Sequence, residues 1–402
     1  MANAEIVLIG SGITVLGTAR CLAHAGFRPV VLSEQPELER YSRYYRPFPP
    51  ATGSRPFLLD SISREAIDAA LSRPPWNEAV VIPCSDHAVK AVAESAAAGA
   101  GYKTVLPAPA LLAALTDKAA FAELLEQHNI PHPRTLIVTP GAPFAGIANR
   151  AGRNYFLKPR DSQAFFSVFG VKGFRLGPED DPAARIEEIR SRGFEVIVQE
   201  YIPGGADNHV YVEGYIASDG ESKALFARRR LRMYPPDYGN STAMISIPLR
   251  EVQQAVDDLN RMLRAVTYRG IFSAEFKRDP EDGVYKLIEI NPRAWWYIHF
   301  AEMCGVNIAA LAVLDALGHK PAPISSYRVG RRSIFGYYDI YALAEIHGGI
   351  FRAILSLPRA WFGSSFLVFT LDDPAPAVVT GWKQLSAAIR RRLFGHKTSG
   401  RN

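Results

Sequence analysis

Apolar and polar residues alternate along two neighbouring stretches of the chain, 272–277 and 284–291. The segment 279–283 between them (Asp-Pro-Glu-Asp-Gly) has the composition of a turn, because proline fixes φ and glycine permits a positive φ. The pattern therefore predicts two paired strands, with Ile288 and Ile290 on the apolar face of the second strand. Their shared polar face would carry Glu275, Glu289 and Asn291.

This predicted polar face has the chemistry of a metal site. Two carboxylates and an amide oxygen suit a hard cation such as Mg²⁺, which takes oxygen ligands. Arg293 follows Asn291 by two residues, would point the same way and is suited to a phosphoryl group or a carboxylate. The alternative is an ordinary surface hairpin with a solvated polar face, and the spacing alone does not separate the two interpretations.

Residues 1–112 alternate short apolar runs with amphipathic segments, which is typical of βαβ units. The pattern predicts an α/β layer built on a mainly parallel sheet, ending near residue 112. The expected strands are 5–9, 28–32, 79–82 and 104–106, and the expected helices are 12–26 and 86–98.

Gly10, Gly12 and Gly17 follow the first predicted strand, and Glu34 follows the second. This arrangement is similar to a dinucleotide-binding fingerprint, in which an acidic residue contacts the ribose. The third glycine, however, comes two positions late for the close contact between helix and strand. An NAD-dependent oxidoreductase is therefore one alternative, and a Rossmann-like half-domain without a dinucleotide is the preferred interpretation.

Beyond residue 112 the predicted elements are longer and more varied. A helix is expected at 111–128, and the strand 225–232 is unusually basic. Four arginines in five residues without nearby acids would repel one another unless an anion is bound. Further strands are expected at 155–159, 195–200 and 208–216, further helices at 251–266 and 307–317, and an aromatic-rich appendage at 321–402.

The charge distribution argues against a nucleic-acid-binding surface. The chain has a formal net charge of +6, but its last thirteen residues carry five basic side chains and no acid. The body is therefore close to neutral, and weak contact of this basic tail with an anionic membrane surface is a minor possibility.

The remaining composition predicts a soluble cytoplasmic protein. The three cysteines are far apart without metal-ligand spacing, which favours a reducing compartment. We identify no signal peptide at the start of the sequence. The most apolar stretch, 349–369, is interrupted by Arg352, Pro358 and Arg359, so no transmembrane segment is expected.

Several motifs carry a resemblance to the ATP-grasp superfamily over roughly residues 1–320. They are the segment 116–118 (Thr-Asp-Lys) followed by a helix and Ile-Pro-His-Pro, the segment 199–202 (Gln-Glu-Tyr-Ile), and the ending 289–293 (Glu-x-Asn-x-Arg). Within the superfamily the chain resembles the ATP-dependent carboligases, which are carboxylate–amine ligases. The resemblance implies a Rossmann-like pre-ATP-grasp domain (1–112), a two-lobed ATP-grasp domain (113–320, hinge near 199–202) and a C-terminal appendage (321–402).

The resemblance also implies roles for individual residues. The phosphates of ATP would be neutralised by lysine side chains, which are compact point charges. The adenine would contact the hinge, and the ribose an acid just after it. Two Mg²⁺ ions, with Mn²⁺ as a possible substitute, would bind the predicted hairpin. The implied residues are Lys118, Lys158 and Lys172 for the phosphates, Gln199, Glu200 and Ile202 for the adenine, Asp207 for the ribose, and Glu275, Glu289 and Asn291 for the metal.

Two further segments bear on the reaction. The segment 230–242 resembles one that is particular to the carboligases, which implies that Arg232, together with Arg293, holds an acyl phosphate or a carboxylate. The loop 162–169 departs from the glycine-rich phosphate loop of the superfamily because it contains three phenylalanines. Bulky residues approach phosphates less closely than glycine does.

The predicted activity is the ATP-dependent joining of a small-molecule carboxylate to an amine or a thiol, through an acyl phosphate. A site rich in cations and metal ligands, without an evident nucleophile, fits catalysis by positioning and charge neutralisation. The alternatives are an ATP-binding regulatory protein of the same fold and, third, the NAD-dependent oxidoreductase.

Overall fold

The computed structural model describes residues 4–50, 57–138, 154–159, 165, 168–171, 173–177, 182–236 and 239–394, with backbone only for 385 and 387–394. Within these ranges the strands form three sheets, of four, four and seven strands. Mixed α and β structure agrees with the fold class that the sequence predicts.

The first sheet is parallel throughout, in the order β2-β1-β3-β4. Its central strands are buried along their whole length, which explains why they appear in the sequence as continuous apolar runs. The strands are β1 (Ile6–Ile9), β2 (Val30–Leu32), β3 (Val80–Pro83) and β4 (Lys103–Thr104), and the helices are α1 (Gly12–His24), α2 (Arg64–Leu71) and α3 (Asp86–Ala97).

Residues 109–127 form two helices where the sequence predicts one. Helix α4 (Pro109–Thr116) ends and α5 (Lys118–Gln127) begins at Asp117. The Asp117 carboxylate accepts hydrogen bonds from the amides of Ala119 and Ala120, at 2.8 and 3.0 Å. An aspartate in this N-cap position starts a new helix, so the segment forms two helices although its apolar pattern is continuous.

The second sheet is antiparallel, in the order β5-β8-β6-β7, and α6 (Pro182–Ser191) packs on β8. Phe165 is fully buried in its core and stacks on Phe169, with 4.4 Å between the ring centroids. Both rings also contact Phe174 and Phe194. The strands are β5 (Thr135–Ile137), β6 (Tyr155–Pro159), β7 (Phe174–Leu176) and β8 (Val196–Glu200).

The third sheet has the order β13-β12-β9-β10-β11-β14-β15 and is antiparallel except for the last pair. One face packs on α7 (Gln253–Ala265), and the other carries many polar side chains. The strands are β9 (His209–Ile216), β10 (Ser222–Tyr234), β11 (Asn240–Ile247), β12 (Gly270–Arg278), β13 (Tyr285–Asn291), β14 (Arg332–Ile334) and β15 (Ser365–Phe366).

The hairpin β12–β13 matches the predicted pair of strands, with one shift. Phe272, Ala274 and Phe276 are fully buried, as expected. Leu287 rather than Ile288 shares the buried face with Ile290, because a register shift follows the pair Glu275–Glu289. The alternation that predicts Ile288 in the core assumes an unbroken period of two, and the bulge breaks it.

Residues after 321 extend the large sheet, since β14 pairs with β11. A buried ion pair also joins this region to α1, because Arg20 binds Asp373 at 2.9 Å with both side chains almost inaccessible. The remaining helices are α8 (Ile298–Met303), α9 (Ile308–Ala316), α10 (Gly336–His347), α11 (Ile350–Trp361) and α12 (Ala375–Phe394).

None of the helices in the described ranges is by itself long and apolar enough to cross a membrane. Helices α10 and α11 satisfy that length and composition only when they are taken together, and they are bent by 114° at the break between them.

Candidate active site

Glu275 of β12 and Glu289 of β13 lie directly opposite each other across the hairpin, and Ser273 lies opposite Asn291. Directly opposed residues of an antiparallel pair share one face, with Cβ atoms about 5 Å apart. The Asn291 side-chain amide donates to Glu289 Oε1 at 2.8 Å. The three predicted metal-binding side chains therefore converge on one face of the hairpin.

Glu275 is held by two basic side chains. His209 Nδ1 lies 2.7 Å and Arg230 Nη2 lies 3.1 Å from the same carboxylate oxygen, Oε1. Burial by itself would raise the pKa of Glu275, but the Arg230 guanidinium and the His209 hydrogen bond outweigh it and hold the pKa well below its usual range. Glu275 is therefore a carboxylate at any physiological pH.

Glu289 has a different environment. Its side chain is accessible from the cleft but surrounded by protein on several sides, and this partial desolvation raises its pKa. The neighbouring carboxylate of Glu275 raises the pKa further, whereas the Asn291 amide and the ammonium of Lys158 lower it. The raised pKa of Glu289 beside the ionised Glu275 indicates a place where added positive charge is stabilising.

The small sheet contributes a half-buried lysine to the same region. Lys158 Nζ donates to Gln199 Oε1 at 2.6 Å, and Gln199 Nε2 donates to Thr135 at 3.0 Å. Burial lowers the pKa of Lys158 to about 8, although the carboxylates of Glu289 and Glu275 partly offset this effect. Lys158 of β6 and Glu289 of β13 line the same cleft, so the small sheet faces the hairpin of the large one.

A cleft of about 930 Å³ brings five of the predicted site residues together. Its walls come from α3, α4, α5, the small sheet and β13. Lys118, the first residue of α5, lies on this wall, and its charge affects the pKa of both Lys158 and Asp86. The predicted residues that line the cleft are Lys118, Lys158, Gln199, Glu289 and Asn291.

Arg293 forms a two-bond ion pair with Asp86, at the N-terminus of α3. The distances are 2.5 Å from Nε and 3.2 Å from Nη2. Asp86 is 54% exposed, and the Arg293 guanidinium helps to lower its pKa against the opposing effect of burial. This pair joins the end of the hairpin to the N-terminal sheet at the mouth of the cleft.

Arg230 and Arg232 point to different partners, although strand periodicity predicts that they share a face. A register shift between them in β10 separates their directions. Arg230 turns toward Glu275, whereas Arg232 binds Asp339 of α10 through two hydrogen bonds of 2.8 Å each. Asp339 is fully buried and also accepts from Thr242 and Trp361, at 2.7 and 2.8 Å.

Three other predicted ATP residues lie at the end of β8 or shortly after it. Glu200 is buried and accepts a hydrogen bond from the Arg134 amide at 3.3 Å, and Ile202 is buried beside it. Asp207 is exposed in the short 3₁₀ turn that precedes β9. Lys172 lies outside the described residues.

Sequence reasoning missed a polar layer on the large sheet. Arg230 donates to the Tyr211 hydroxyl and, at 2.9 Å, to Ser241. A neighbouring buried pair joins Arg228 to Glu213 at 2.6 Å. The alternation of polar and apolar residues along β9 is the sequence pattern that could have indicated this layer. A strand at the protein surface shows the same alternation, so the pattern does not identify a buried polar layer. The layer contains His209, Tyr211, Glu213, Arg228, Arg230 and Ser273.

The turn between β1 and α1 is filled by the chain's own carboxylates. The Gly12 amide donates to Glu39 at 2.9 Å, and Ser11 donates to Glu37 at 3.1 Å. Glu34 accepts from the Ile62 amide at 2.5 Å. A dinucleotide pyrophosphate requires this helix N-terminus, so the arrangement opposes the NAD-binding alternative.

A second group of potential metal ligands lies away from the cleft, where His24, His299 and Glu302 meet. Glu302 lies 3.2 Å from His24 and 3.4 Å from His299, and His24 also contacts Asp372 at 3.2 Å. These side chains pair with one another across α1, α8 and the C-terminal segment, so we interpret them as a polar contact. Trp295, Tyr297 and His299 are buried.

No protein-family model matches the sequence. In a comparison with curated proteins, the chain is 25% identical to a D-aspartate ligase of Enterococcus faecium over 336 residues, which is 80% of this chain and 78% of the relative. It is 24% identical to the large chain of carbamoyl phosphate synthase of Rubrobacter xylanophilus but spans only 31% of that relative.

The chain also superposes on solved structures over most of its length. An N5-carboxyaminoimidazole ribonucleotide synthetase of Thermotoga maritima superposes with a TM-score of 0.57 at 16% identity, over 82% of this chain and 79% of that one. The biotin carboxylase domain of a Hydrogenobacter thermophilus 2-oxoglutarate carboxylase, bound to MgADP, gives 0.60 at 14% identity, over 81% and 73%. The chain has the ATP-grasp fold. The sequence-based prediction of this fold is confirmed.

Proposed function

We propose that the protein is an ATP-dependent ligase that joins a carboxylate to an amine. A carboxylate oxygen attacks the γ-phosphorus of ATP, and the bond to the β,γ-bridging oxygen breaks, which releases ADP. The amine nitrogen then attacks the acyl carbon of the resulting acyl phosphate. The carbon–oxygen bond breaks, phosphate leaves, and the amine loses a proton. A thiol in place of the amine would follow the same course.

The observation that carries this proposal is the cleft shared by both sheets and α5. Its walls carry two of the predicted lysines, two of the predicted amides and Glu289, and Glu275 lies directly opposite Glu289 on the hairpin. Phosphoryl transfer requires little covalent chemistry from the protein and depends on positioned positive charge.

We propose that ATP lies with its phosphates between Lys118 and Lys158. The hinge would hold the adenine, with Gln199, Glu200 and Ile202 around the ring, and the exposed Asp207 would reach the ribose hydroxyls. Lys172 remains a proposal from the sequence. The Lys158–Gln199 hydrogen bond holds the ammonium at the cleft wall in the absence of nucleotide.

The side chains of the hairpin fit a divalent cation. Glu289 has a raised pKa because it is partly desolvated and faces a second carboxylate, so a nearby cation would relieve an existing repulsion. We propose that Glu289, Asn291 and Glu275 hold Mg²⁺. Glu275 would use Oε2, because His209 and Arg230 both contact its Oε1. Bound there, Mg²⁺ neutralises triphosphate charge. Two ions, and the use of Mn²⁺, are expectations from the family resemblance.

Arg293 is the better candidate for holding the reacting anion. Its partner Asp86 is half exposed, and ion pairs of this kind contribute at most about 1 kcal/mol, so a substrate carboxylate or phosphoryl group can replace Asp86. The partner of Arg232 is fully buried, and breaking such a pair costs about 3 to 5 kcal/mol. We therefore propose that Arg232 positions β10 against α10, and that Arg293 contacts the reacting carboxylate or phosphoryl group.

We further propose a small amino acid with a side-chain carboxylate as the acid, because D-aspartate is named in the activity of one relative. The positive charges at the cleft mouth suit such an acid. The three buried cysteine thiols fit a reducing compartment, and we propose the cytoplasm.

A hydroxylamine-trapping screen tests the proposed function. The protein is incubated with ATP, Mg²⁺, hydroxylamine and single carboxylic acids, starting with D- and L-aspartate, and both hydroxamate and ADP are measured. We expect one acid class to give hydroxamate and ADP in equal amounts. If ATP with Mg²⁺ raises the melting temperature but no acid releases ADP, the protein is an ATP-binding regulator instead.

A further inference from the structure

Helix α11 exposes four large apolar side chains to solvent. Phe351 is 71% exposed and Leu355 66%, while Ile354 and Ile350 are 52% and 50% exposed. Phe362, directly after the helix, is 85% exposed. We call these five residues the α11 surface. Exposed apolar patches of this kind mark binding sites more often than chance positions on a monomer do.

The side of α11 that faces the protein carries both small and large residues. Ala353 is fully buried, and Ser356, Leu357, Ala360 and Trp361 are half-buried. At about 100° per residue, the exposed apolar residues at positions 350, 351, 354 and 355 cover a further arc of about 140°. The helix therefore has apolar side chains beyond those that face the protein, and these remain exposed to solvent.

The charged side chains of α11 itself have one sign. Residues 346–371 include two arginines, Arg352 and Arg359, and no aspartate or glutamate, whereas the acids Glu345 and Asp372 flank this stretch. Both arginines are exposed and lie together along one edge of the apolar arc. An apolar arc beside exposed basic side chains is the pattern of a helix that lies in the interface of an anionic membrane.

We propose that the α11 surface docks the protein on an anionic lipid bilayer. A second copy of the chain fits less well, because a twofold contact would place an acid-free surface with two arginines against itself. This proposal differs from membrane contact by the basic tail at 390–401, because it depends on the side chains that the folded helix α11 exposes.

The helix would lie on the membrane and not cross it. Twelve residues of α-helix are about 18 Å long, against about 30 Å for the hydrocarbon core. Helix α10 is fixed to the large sheet because Asp339 binds Arg232, and Trp361 at the end of α11 donates to the same Asp339. Both helices are therefore held to the body of the protein, which allows only shallow insertion of the exposed arc.

Vesicle flotation of the full-length protein tests the proposal. Vesicles of phosphatidylcholine alone are compared with vesicles containing about one third phosphatidylglycerol. We expect binding to the anionic vesicles, and a decrease of at least about tenfold in the partition coefficient for the double variant Phe351→Ser/Leu355→Ser. The matched control Leu58→Ser/Val329→Ser replaces apolar residues that are 46% and 50% exposed elsewhere, and it should bind like the wild type.

A charge variant and a tail variant separate the two basic regions. Arg352→Glu/Arg359→Glu should weaken binding to anionic vesicles, whereas replacing Arg390, Arg391 and Arg392 with glutamine should leave most of it. Circular dichroism and the melting temperature verify that each variant is folded. The proposal is overturned if folded Phe351→Ser/Leu355→Ser binds normally or if only the tail variant loses binding. It is equally overturned if the wild type ignores vesicles and self-associates through this surface, as sedimentation would show.

Discussion

Glu275 and Glu289 face each other across one hairpin, yet their pKa values move in opposite directions. Arg230 and His209 hold Glu275 permanently ionised, whereas partial desolvation and the charge of Glu275 itself raise the pKa of Glu289. The two carboxylates therefore have different tasks. Glu275 anchors a buried network, and Glu289 is the side chain whose charge a bound cation would stabilise.

The first prediction concerns Glu289. Replacing it with glutamine keeps its size and leaves the protein folded, because the side chain is exposed in the cleft, so stability should change by no more than about 0.5 kcal/mol. ADP release that depends on a carboxylate should fall to background. The matched control is Glu65→Gln on α2, an exposed glutamate far along the chain. Undiminished turnover in Glu289→Gln would remove this carboxylate from the reaction.

The pH dependence of the same site follows from the direction of the shift. A cation requires the ionised form of Glu289, so Mg²⁺ affinity should decrease as pH falls through its raised pKa. The decrease should begin above the ordinary glutamate value of 4.5. Calorimetric titration with Mg²⁺ at several pH values measures this decrease. The Mg²⁺ affinity of Glu289→Gln should depend less on pH than that of the wild type. An identical profile in that variant would assign the titration to another group.

A second prediction concerns Glu275. Replacement by glutamine leaves the buried Arg230 without its carboxylate and weakens the hydrogen bond from His209. Removing one member of a buried pair costs about 3 to 5 kcal/mol, so we expect the free energy of unfolding to fall by about that amount. Urea denaturation measures the loss. A decrease as small as that of Glu289→Gln would show that the Arg230–Glu275 pair is not the anchor described here.

A third prediction uses the lowered pKa of Lys158. Because this pKa is about 8 without nucleotide, the ammonium loses its proton as pH rises above that value. ATP affinity should then fall by up to about tenfold per pH unit above about pH 8, since binding must first restore the charge. Lys158→Met should bind ATP at least about thirtyfold more weakly at neutral pH. Fluorescent-nucleotide titration measures both effects.

Lys103→Met serves as the control for that experiment, because Lys103 is exposed on β4. Its ATP affinity and pH profile should equal those of the wild type. If Lys158→Met retained the wild-type decrease above pH 8, the titrating group would not be Lys158.

The fourth prediction separates the two arginines. Arg293→Ala should reduce carboxylate-dependent ADP release by about 100-fold or more, with little loss of stability, because it removes a cation from the reacting anion. Arg232→Ala should instead lower stability, since Asp339 remains buried with only Thr242 and Trp361 as donors. Parallel measurements of turnover and of unfolding decide between them. A stable Arg232→Ala with a selective defect in the carboxylate step would return the anion-binding role to Arg232.

Local sequence patterns identified the parts of this fold that depend on local chemistry. The hairpin, its turn and the strand ending in Lys158 were predictable because apolar alternation and turn residues act within a few positions. The break at Asp117 was not, because an N-cap inside a continuous apolar pattern gives the same periodicity as one long helix.

The partners of individual arginines depend on distant residues. Asp339 follows Arg232 by more than a hundred positions, and nothing near Arg232 indicates that its guanidinium is occupied. The register shift in β10 was equally hidden from the local sequence. Simple alternation places Arg230 and Arg232 on one face of the strand, whereas the shift separates their directions. Site chemistry was therefore predicted by residue type, and the assignment of each cation required the packed structure.

The stacked rings of Phe165 and Phe169 also bear on how a nucleotide would leave the proposed ATP site. The family resemblance assigns the loop 162–169 to the phosphates of ATP, and Phe165 and Phe169 both belong to it. Their rings are part of the aromatic cluster of the small sheet, together with Phe174 and Phe194. Moving Phe165 and Phe169 away from that cluster would expose both rings to water. We therefore expect release of a nucleotide bound beneath this loop to involve a movement of the whole small sheet.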